Sequence, residues 1–186
     1  MIYSNKNIFD KLDEKNIEIL NFSKDCMRSS SYLLRIDDKL LKMKKSDYVI
    51  DTKSTNTSSF FDEVIMDDSG LVINPGEFYL GSSVEKISLD TTVCGELFQL
   101  SCYARVGLNI NFSSCHIAAT FGIGRPSAIT FEITNNSPNK IKIYPGVKLC
   151  HLRFHQQLTS STLSYTGIYA EKDEAMASNF ELKPAR

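Results

Sequence analysis

The sequence lacks the features that mark membrane, secreted and nucleic-acid-binding proteins. Its 186 residues carry a net charge of −1, whereas proteins that bind nucleic acid usually show a basic surface. No apolar run approaches the roughly 18 residues that span a bilayer. The first residues show no charged segment followed by an apolar one, so no secretory signal is predicted. We therefore expect the cytoplasm as the location.

Disulfide and metal-binding patterns are also missing. The five cysteines form no Cys-x-x-Cys pair, and none of the three histidines begins a His-x-Glu sequence. An odd number of cysteines in a cytoplasmic protein is typical of reduced thiols that pack as small apolar side chains. The spacing predicts no clustered zinc site.

Turn signals and alternating apolar residues predict a mainly β protein. Residues 74–76 read Asn-Pro-Gly and residues 144–146 read Tyr-Pro-Gly. Proline presets one turn angle and glycine tolerates the next, so both are predicted turns between short strands. Ser4 is the predicted N-cap of one short helix that carries Ile8 and Leu12 on one face. We expect a single domain, a β-barrel or β-sandwich with this N-terminal helix.

Glu132 is the only carboxylate between Gly107 and Asn136. Its segment, residues 128–134, alternates so that Glu132 lies on the face opposite Phe131. Two interpretations are open. The carboxylate is either a solvent-facing strand residue or a general base that activates water in a partly dry cleft.

Ser101 and Arg105 lie in a second polar stretch, residues 98–108, which we predict to be a strand. An arginine on a strand is either a structural ion-pair partner or a bidentate ligand for an oxyanion or phosphate. Ser101 lacks the Gly-x-Ser-x-Gly context of a hydrolase nucleophile. Near the C-terminus, residues 165–169 are aromatic and turn-like, which fits either a tail packed on the barrel or a lid over a ligand. Residues 51–60 form a polar, low-complexity loop.

Several segments, in order and spacing, resemble the dCTP deaminase branch of the trimeric dUTPase superfamily. The segments are residues 4–8, 30–35, 74–78, 101–108, 131–135, 144–149 and 165–169. The resemblance implies a distorted β-barrel of the dUTPase-like type that assembles as a homotrimer with active sites at subunit interfaces. It also implies zinc-independent hydrolytic deamination of a cytosine deoxynucleotide, dCTP or dCMP, to the uracil nucleotide and ammonia.

The resemblance also assigns catalytic roles to individual residues. Glu132 matches the glutamate that activates the attacking water at C4 of the ring. Ser101 and Arg105 match the serine and arginine that assist. No tightly bound cofactor is implied, although Mg²⁺ can accompany nucleotide phosphates.

The substrate-binding residues follow from the same mapping. The backbone at Phe112, Ser113 and Ser114 would read the edge of the base. Tyr165 and Lys172 would contact the nucleotide from a C-terminal tail, about residues 160–186, that can serve as a lid.

The chain departs from the family pattern where phosphates would bind. Leu100 and Ile168 stand at positions that usually carry cations. Lys172, Lys148 and Arg125 are the candidate replacements. Residues 118–126 lack the family's Asp-Pro-Gly turn and its water-positioning aspartate. The missing aspartate counts more against pyrophosphate release than against deamination. Because two cations are missing, we expect weaker discrimination between dCTP and dCMP than in a typical family member. The alternative functions are a dUTPase-type triphosphate pyrophosphatase and a non-catalytic nucleotide-binding homologue.

Overall fold

The fold is a curled antiparallel β-sheet preceded by a short helix. It is seen in a computed structural model that describes residues 1–110, 114–167, 169 and 172–181. The helices and strands of these residues, in chain order, are α1 (Asn5–Asp13), β1 (Ile17–Leu20), β2 (Met27–Arg28), β3 (Ser31–Met43), β4 (Phe61–Ile65), β5 (Leu71–Ile73), β6 (Phe78–Leu89), β7 (Val93–Gln99), α2 (Ser101–Arg105), β8 (Leu108–Ile110), β9 (His116–Ile117), β10 (Ser127–Asn135), β11 (Ile141–Ile143) and β12 (Lys148–Gln156). Short 3₁₀ turns cover Lys24–Cys26 and Thr57–Phe60.

The main sheet has the strand order β8-β10-β6-β3-β12-β7-β9, and β5 pairs with β11 in a separate two-stranded sheet. Strands β3 and β6, at 13 and 12 residues, are longer than the short strands expected from the sequence. Register shifts interrupt β3 between Ile36 and Leu40, and β10 between Ala128 and Thr130. Such irregularities bend strands, so the sheet curls into a half-barrel. The predicted mainly β architecture is confirmed.

The N-terminal helix forms as predicted. The Ser4 side chain accepts a hydrogen bond from the Asn7 amide, and the Asn7 side chain accepts one from the Ser4 amide. This reciprocal pair satisfies amides that the first helical turn leaves without partners. Ile8 is completely buried against the core. The helix therefore packs on the core through Ile8.

Both predicted Pro-Gly turns are present. Gly76 and Gly146 have φ angles of 78° and 73°, in the region that glycine enters without steric cost. The first turn leads from β5 into β6, and the second from β11 into β12. The two strands that lead into these turns, β5 and β11, pair with each other.

The prediction of a strand around Ser101 and Arg105 is wrong. These residues form the five-residue helix α2, which begins after Leu100 and ends where Gly107 takes a φ of 79°. A glycine in this left-handed conformation is the usual end of a helix. The signal in the sequence was therefore Gly107, because it lies just beyond a segment whose residues fit one helical turn.

The turn at residues 118–126 is held close to β6. Gly122 has a φ of 65°, and a Cβ at this position would lie 2.1 Å from the carbonyl oxygen of Ile87. Gly124 has a φ of 81° but has no atom within 4 Å of its Cβ position. Both glycines therefore have a left-handed backbone, but only Gly122 is packed too closely for a side chain.

We predict that Gly122→Ala destabilises the protein more than Gly124→Ala. The left-handed backbone should cost about 1–2 kcal/mol in both variants. The contact with Ile87 should add roughly 1–3 kcal/mol at position 122 alone. Urea unfolding at one protein concentration measures both effects. Equal losses in the two variants would contradict the close packing of this turn.

Candidate functional site

Glu132 lies on the outer face of β10, opposite the core. Its neighbours Phe131 and Ile133 are completely buried, whereas Glu132 is partly buried. Its register partner on β6 is Leu80, so an apolar side chain stands beside the carboxylate. Burial raises the pKa of the Glu132 carboxyl above its ordinary value. This environment fits a partly dry cleft and not a solvent-facing strand.

Glu132 lines a cavity of about 650 Å³. One wall is the outer face of the sheet, with Phe78, Leu80 and Thr130, and the other is the C-terminal tail, with Met176. Most of the lining is apolar, which accounts for the desolvation of the carboxylate. A concave, mainly apolar cavity with a few polar groups is typical of a small-molecule site.

The tail is fixed to the sheet beside this cavity. The Ala128 amide on β10 donates to the carbonyl oxygen of Lys172 at 2.9 Å. The Tyr165 amide donates to the Thr120 hydroxyl, and the rings of Tyr165 and Phe121 lie 5.7 Å apart. The turn at residues 118–126 therefore holds Tyr165, and β10 holds Lys172.

Ion pairs add further attachments on the surface. Asp173 lies 2.6 Å from the Lys86 ammonium and 2.7 Å from the Arg125 guanidinium. Glu174 lies 2.8 Å from the ammonium of Lys39 on β3. All of these side chains are substantially exposed, so solvent and salt screen the pairs.

The structure brings together four of the residues predicted from the sequence. Glu132, Ser114, Tyr165 and Lys172 all line the 650 Å³ cavity. Phe112 and Ser113 lie outside the described residues, and the same is true of Ile168.

Ser101 and Arg105 do not join this group within one chain. Both are exposed on α2, and Arg105 lines a separate surface cavity with Ser137 and Lys140. The polar site expected from Ser101, Arg105 and Glu132 is therefore not formed by a single copy of the chain.

One phosphate-site replacement suggested by the sequence is well placed. Lys172 lines the cavity, whereas Arg125 pairs with Asp173 and Lys148 donates to the carbonyl oxygen of Asp25. Leu100 packs against the core at the start of α2. Lys172 is thus the basic residue of this set that faces the Glu132 cavity.

Sequence reasoning missed several lining residues. Phe78 and Leu80 form the apolar floor, and their alternation about Tyr79 on β6 was the available signal. His116 also lines the cavity, although its neighbours suggested no special role. Thr57 comes from the polar loop, and no local pattern connects that loop with Glu132.

The described parts of the chain show neither a metal-binding cluster nor a membrane-spanning helix. These parts hold no group of three or more histidine, cysteine, aspartate or glutamate side chains that could bind a metal ion. No helix in them is long and apolar enough to cross a membrane. All five cysteines are free thiols.

The curled antiparallel sheet, with a cavity over its outer face, defines the chain as a mainly β protein. A family model described as dCTP deaminase-like matches residues 2–157. The chain therefore belongs to the dCTP deaminase-like family, as the sequence resemblance predicted. Residues 158–186, which include the whole tail, lie beyond the matched part.

Curated relatives carry one common name. A protein of Hathewaya histolytica named "dCTP deaminase, dUMP-forming" is 34% identical over 156 residues, which cover 83% of each chain. A protein of Persephonella marina with the same name is 26% identical over 182 residues, covering 98% of each chain.

A solved structure supports the fold. The 2′-deoxycytidine 5′-triphosphate deaminase of Agrobacterium tumefaciens is 17% identical and superposes with a TM-score of 0.64. The match covers 84% of this chain and 48% of the other, so this chain spans about half the length of that protein. The predicted fold of the dUTPase-like type is confirmed.

Proposed function

We propose that this chain is an enzyme that deaminates dCTP hydrolytically, with Glu132 as general base. The observation that carries the proposal is the half-buried Glu132 carboxylate in a tail-covered cavity of a dCTP deaminase-like chain. The names of the relatives support cytosine deoxynucleotides as the substrate class.

The chemistry needs a group that moves protons in several steps. Water attacks C4 of cytosine, and Glu132 takes its proton as the C–O bond forms. The carboxyl donates that proton to N3, and then takes the proton of the new C4 hydroxyl and passes it to the amino group. Ammonia leaves as the C–N bond breaks and the C4 carbonyl forms. One water is consumed, and dCTP becomes dUTP plus ammonia. A carboxyl whose pKa is raised by desolvation suits this role, since proton transfer is most efficient when the pKa approaches the working pH.

The other cavity residues bind the nucleotide in this proposal. Lys172 supplies positive charge for the phosphates, and the Tyr165 ring closes the cavity from the tail. Ser114 lies at the predicted edge of the base. The proposal includes no tightly bound cofactor, and Mg²⁺ enters with the phosphates. A cytoplasmic location stays a prediction.

Release of pyrophosphate is the second candidate activity. The relatives' name, dUMP-forming, favours it because dCTP yields dUMP only if pyrophosphate also leaves. That reaction consumes two waters and produces dUMP, ammonia and pyrophosphate. Among the described residues, the carboxylates that line the cavity are Glu132 and Glu174, and Glu174 is paired with Lys39. Glu132 would therefore also serve the second water, since no other unpaired carboxylate lines the described cavity.

Product analysis tests the proposed function. The purified protein should convert dCTP to a uracil nucleotide with one ammonia released per turnover. Equal amounts of pyrophosphate and dUMP would add the second activity, whereas accumulation of dUTP would exclude it. Comparing kcat/KM for dCTP and dCMP measures the phosphate discrimination of the site. Nucleotide binding without ammonia release would overturn the proposal in favour of a non-catalytic homologue.

We predict that Glu132→Gln abolishes ammonia release and leaves the fold intact. Loss of a positioned general base should lower kcat by about 10²- to 10⁴-fold. Glu174→Gln is the matched control, because it changes the other carboxylate of the described cavity lining. This control should retain most of the activity. Near-normal turnover by the Glu132 variant would exclude it as the base.

We further propose that the active protein is a homotrimer in which Ser101 and Arg105 of one copy approach Glu132 of another. Their exposure on α2, away from the cavity of their own chain, supports this arrangement. An isolated copy would then have an incomplete site.

Mixing two inactive variants tests the shared site. Glu132→Gln and Arg105→Ala should each be inactive alone. In randomly mixed trimers, about one interface in four combines an intact Glu132 with an intact Arg105. Co-refolded mixtures should therefore recover roughly a quarter of wild-type activity. Unmixed variants refolded separately are the control, and a mixture as inactive as these would contradict the shared site.

A further inference from the structure

The polar loop at residues 51–60 contacts the last described part of the tail. Thr57 is 4% exposed although it belongs to a low-complexity polar segment. Its amide donates to the carbonyl oxygen of Ser178 at 2.9 Å, and its hydroxyl donates to the same oxygen at 2.6 Å. One carbonyl on the tail is thus held by two donors from one residue.

A second backbone contact lies beside the first. The Phe180 amide donates to the carbonyl oxygen of Thr55 at 3.0 Å, and Asn56 forms an isolated antiparallel bridge with Asn179. The loop and residues 178–180 therefore pair as a minimal two-stranded ribbon. We call this contact the latch.

The latch is part of the wall of the Glu132 cavity. Thr57 and Ser178 both line that cavity. Lys172 lies between the latch and the attachment of Tyr165 to Thr120. The tail segment that carries Lys172 is therefore held at both ends, with the latch at its C-terminal end.

The latch differs in kind from the ion pairs that also hold this segment. The ion pairs of Asp173 and Glu174 are exposed, so salt and water weaken them. The Thr57 hydroxyl is removed from solvent, and a buried group that loses its partner is more costly than an exposed one. Thr57 is thus the side chain most able to decide whether the end of the tail stays closed.

We propose that Thr57 is a positioning residue that holds the tail, and with it Lys172, over the nucleotide. This inference rests on the proposed function for the identity of the ligand. Closure and binding are then coupled: a nucleotide that contacts the closed tail stabilises the latch, and the latch strengthens nucleotide binding by the same factor. Opening of the latch admits substrate and releases product.

Hydrogen exchange of the free protein tests the latch directly. Thr57→Val keeps the shape of the side chain and removes its donor, whereas Thr57→Ser keeps the donor. Thr52→Val makes the same change at an exposed position of the same loop. Exchange in peptides covering residues 172–181 should be roughly five- to tenfold faster in Thr57→Val. It should be unchanged in Thr57→Ser and in Thr52→Val.

A core segment provides the internal reference. Peptides from β12, which lies between β3 and β7 in the interior of the sheet, should exchange at wild-type rates in all three variants. If the tail and β12 lose protection equally, the substitution destabilises the whole protein and the local latch is excluded. Unchanged tail exchange in Thr57→Val would also overturn the proposal.

The coupling to nucleotide needs two further measurements. In the Glu132→Gln background, where dCTP is not consumed, added dCTP should slow exchange of residues 172–181. In the active enzyme, Thr57→Val should raise KM for dCTP and leave kcat within about twofold, because saturating nucleotide closes the tail. Thr57→Ser should restore KM. The proposal would be contradicted if added dCTP left the exchange rate of residues 172–181 unchanged. It would also be contradicted if Thr57→Val lowered kcat at constant KM.

These experiments separate the two proposals. Absence of ammonia release from dCTP would overturn the proposed function, and the exchange of the free protein would still report on the latch. Conversely, active enzyme with unchanged tail exchange in Thr57→Val would overturn the latch alone.

Discussion

The candidate site depends on the partial burial of one carboxylate, that of Glu132. Glu132 lies on the outer face of a sheet, where a side chain would normally be solvated. Removing water from a charged group is unfavourable, so such a residue remains in a dry position only when the surrounding structure compensates. Here the apolar floor formed by Phe78 and Leu80 excludes water from below, and the tail excludes it from above. The raised pKa of Glu132 is the electrostatic consequence of that covering.

Local patterns predicted the parts of the fold that depend on local physics. The alternation around Phe131 and Glu132 identified the inner and outer faces of β10, because side chains alternate along any strand. Ser4 marked the start of α1, and the Pro-Gly turns marked the strands that follow them. The segment at residues 101–105 was misread because a single helical turn is too short to show a helical period.

Local sequence patterns could not predict which segments cover the Glu132 cavity. The amide of Ala128 meets the carbonyl of Lys172, and Thr57 meets Ser178 more than a hundred residues away. These contacts join segments that have no periodic pattern and are individually polar. Family resemblance identified Glu132 and Lys172 as candidates, but the loop at residues 51–60 became interpretable only once its partner on the tail was known.

The form of the attachment explains how the same cavity can be both dry and accessible. A tail packed by large apolar side chains would open only with much of the core, since local opening becomes harder as buried contacts accumulate. The tail segment at residues 172–181 has no fully buried side chain and is held by a few hydrogen bonds and screened ion pairs, and ordering its residues opposes closure. Closed and open states therefore differ by far less than folded and unfolded states do. Glu132 can be desolvated while the tail is closed, and a nucleotide can still enter without unfolding the sheet that holds it.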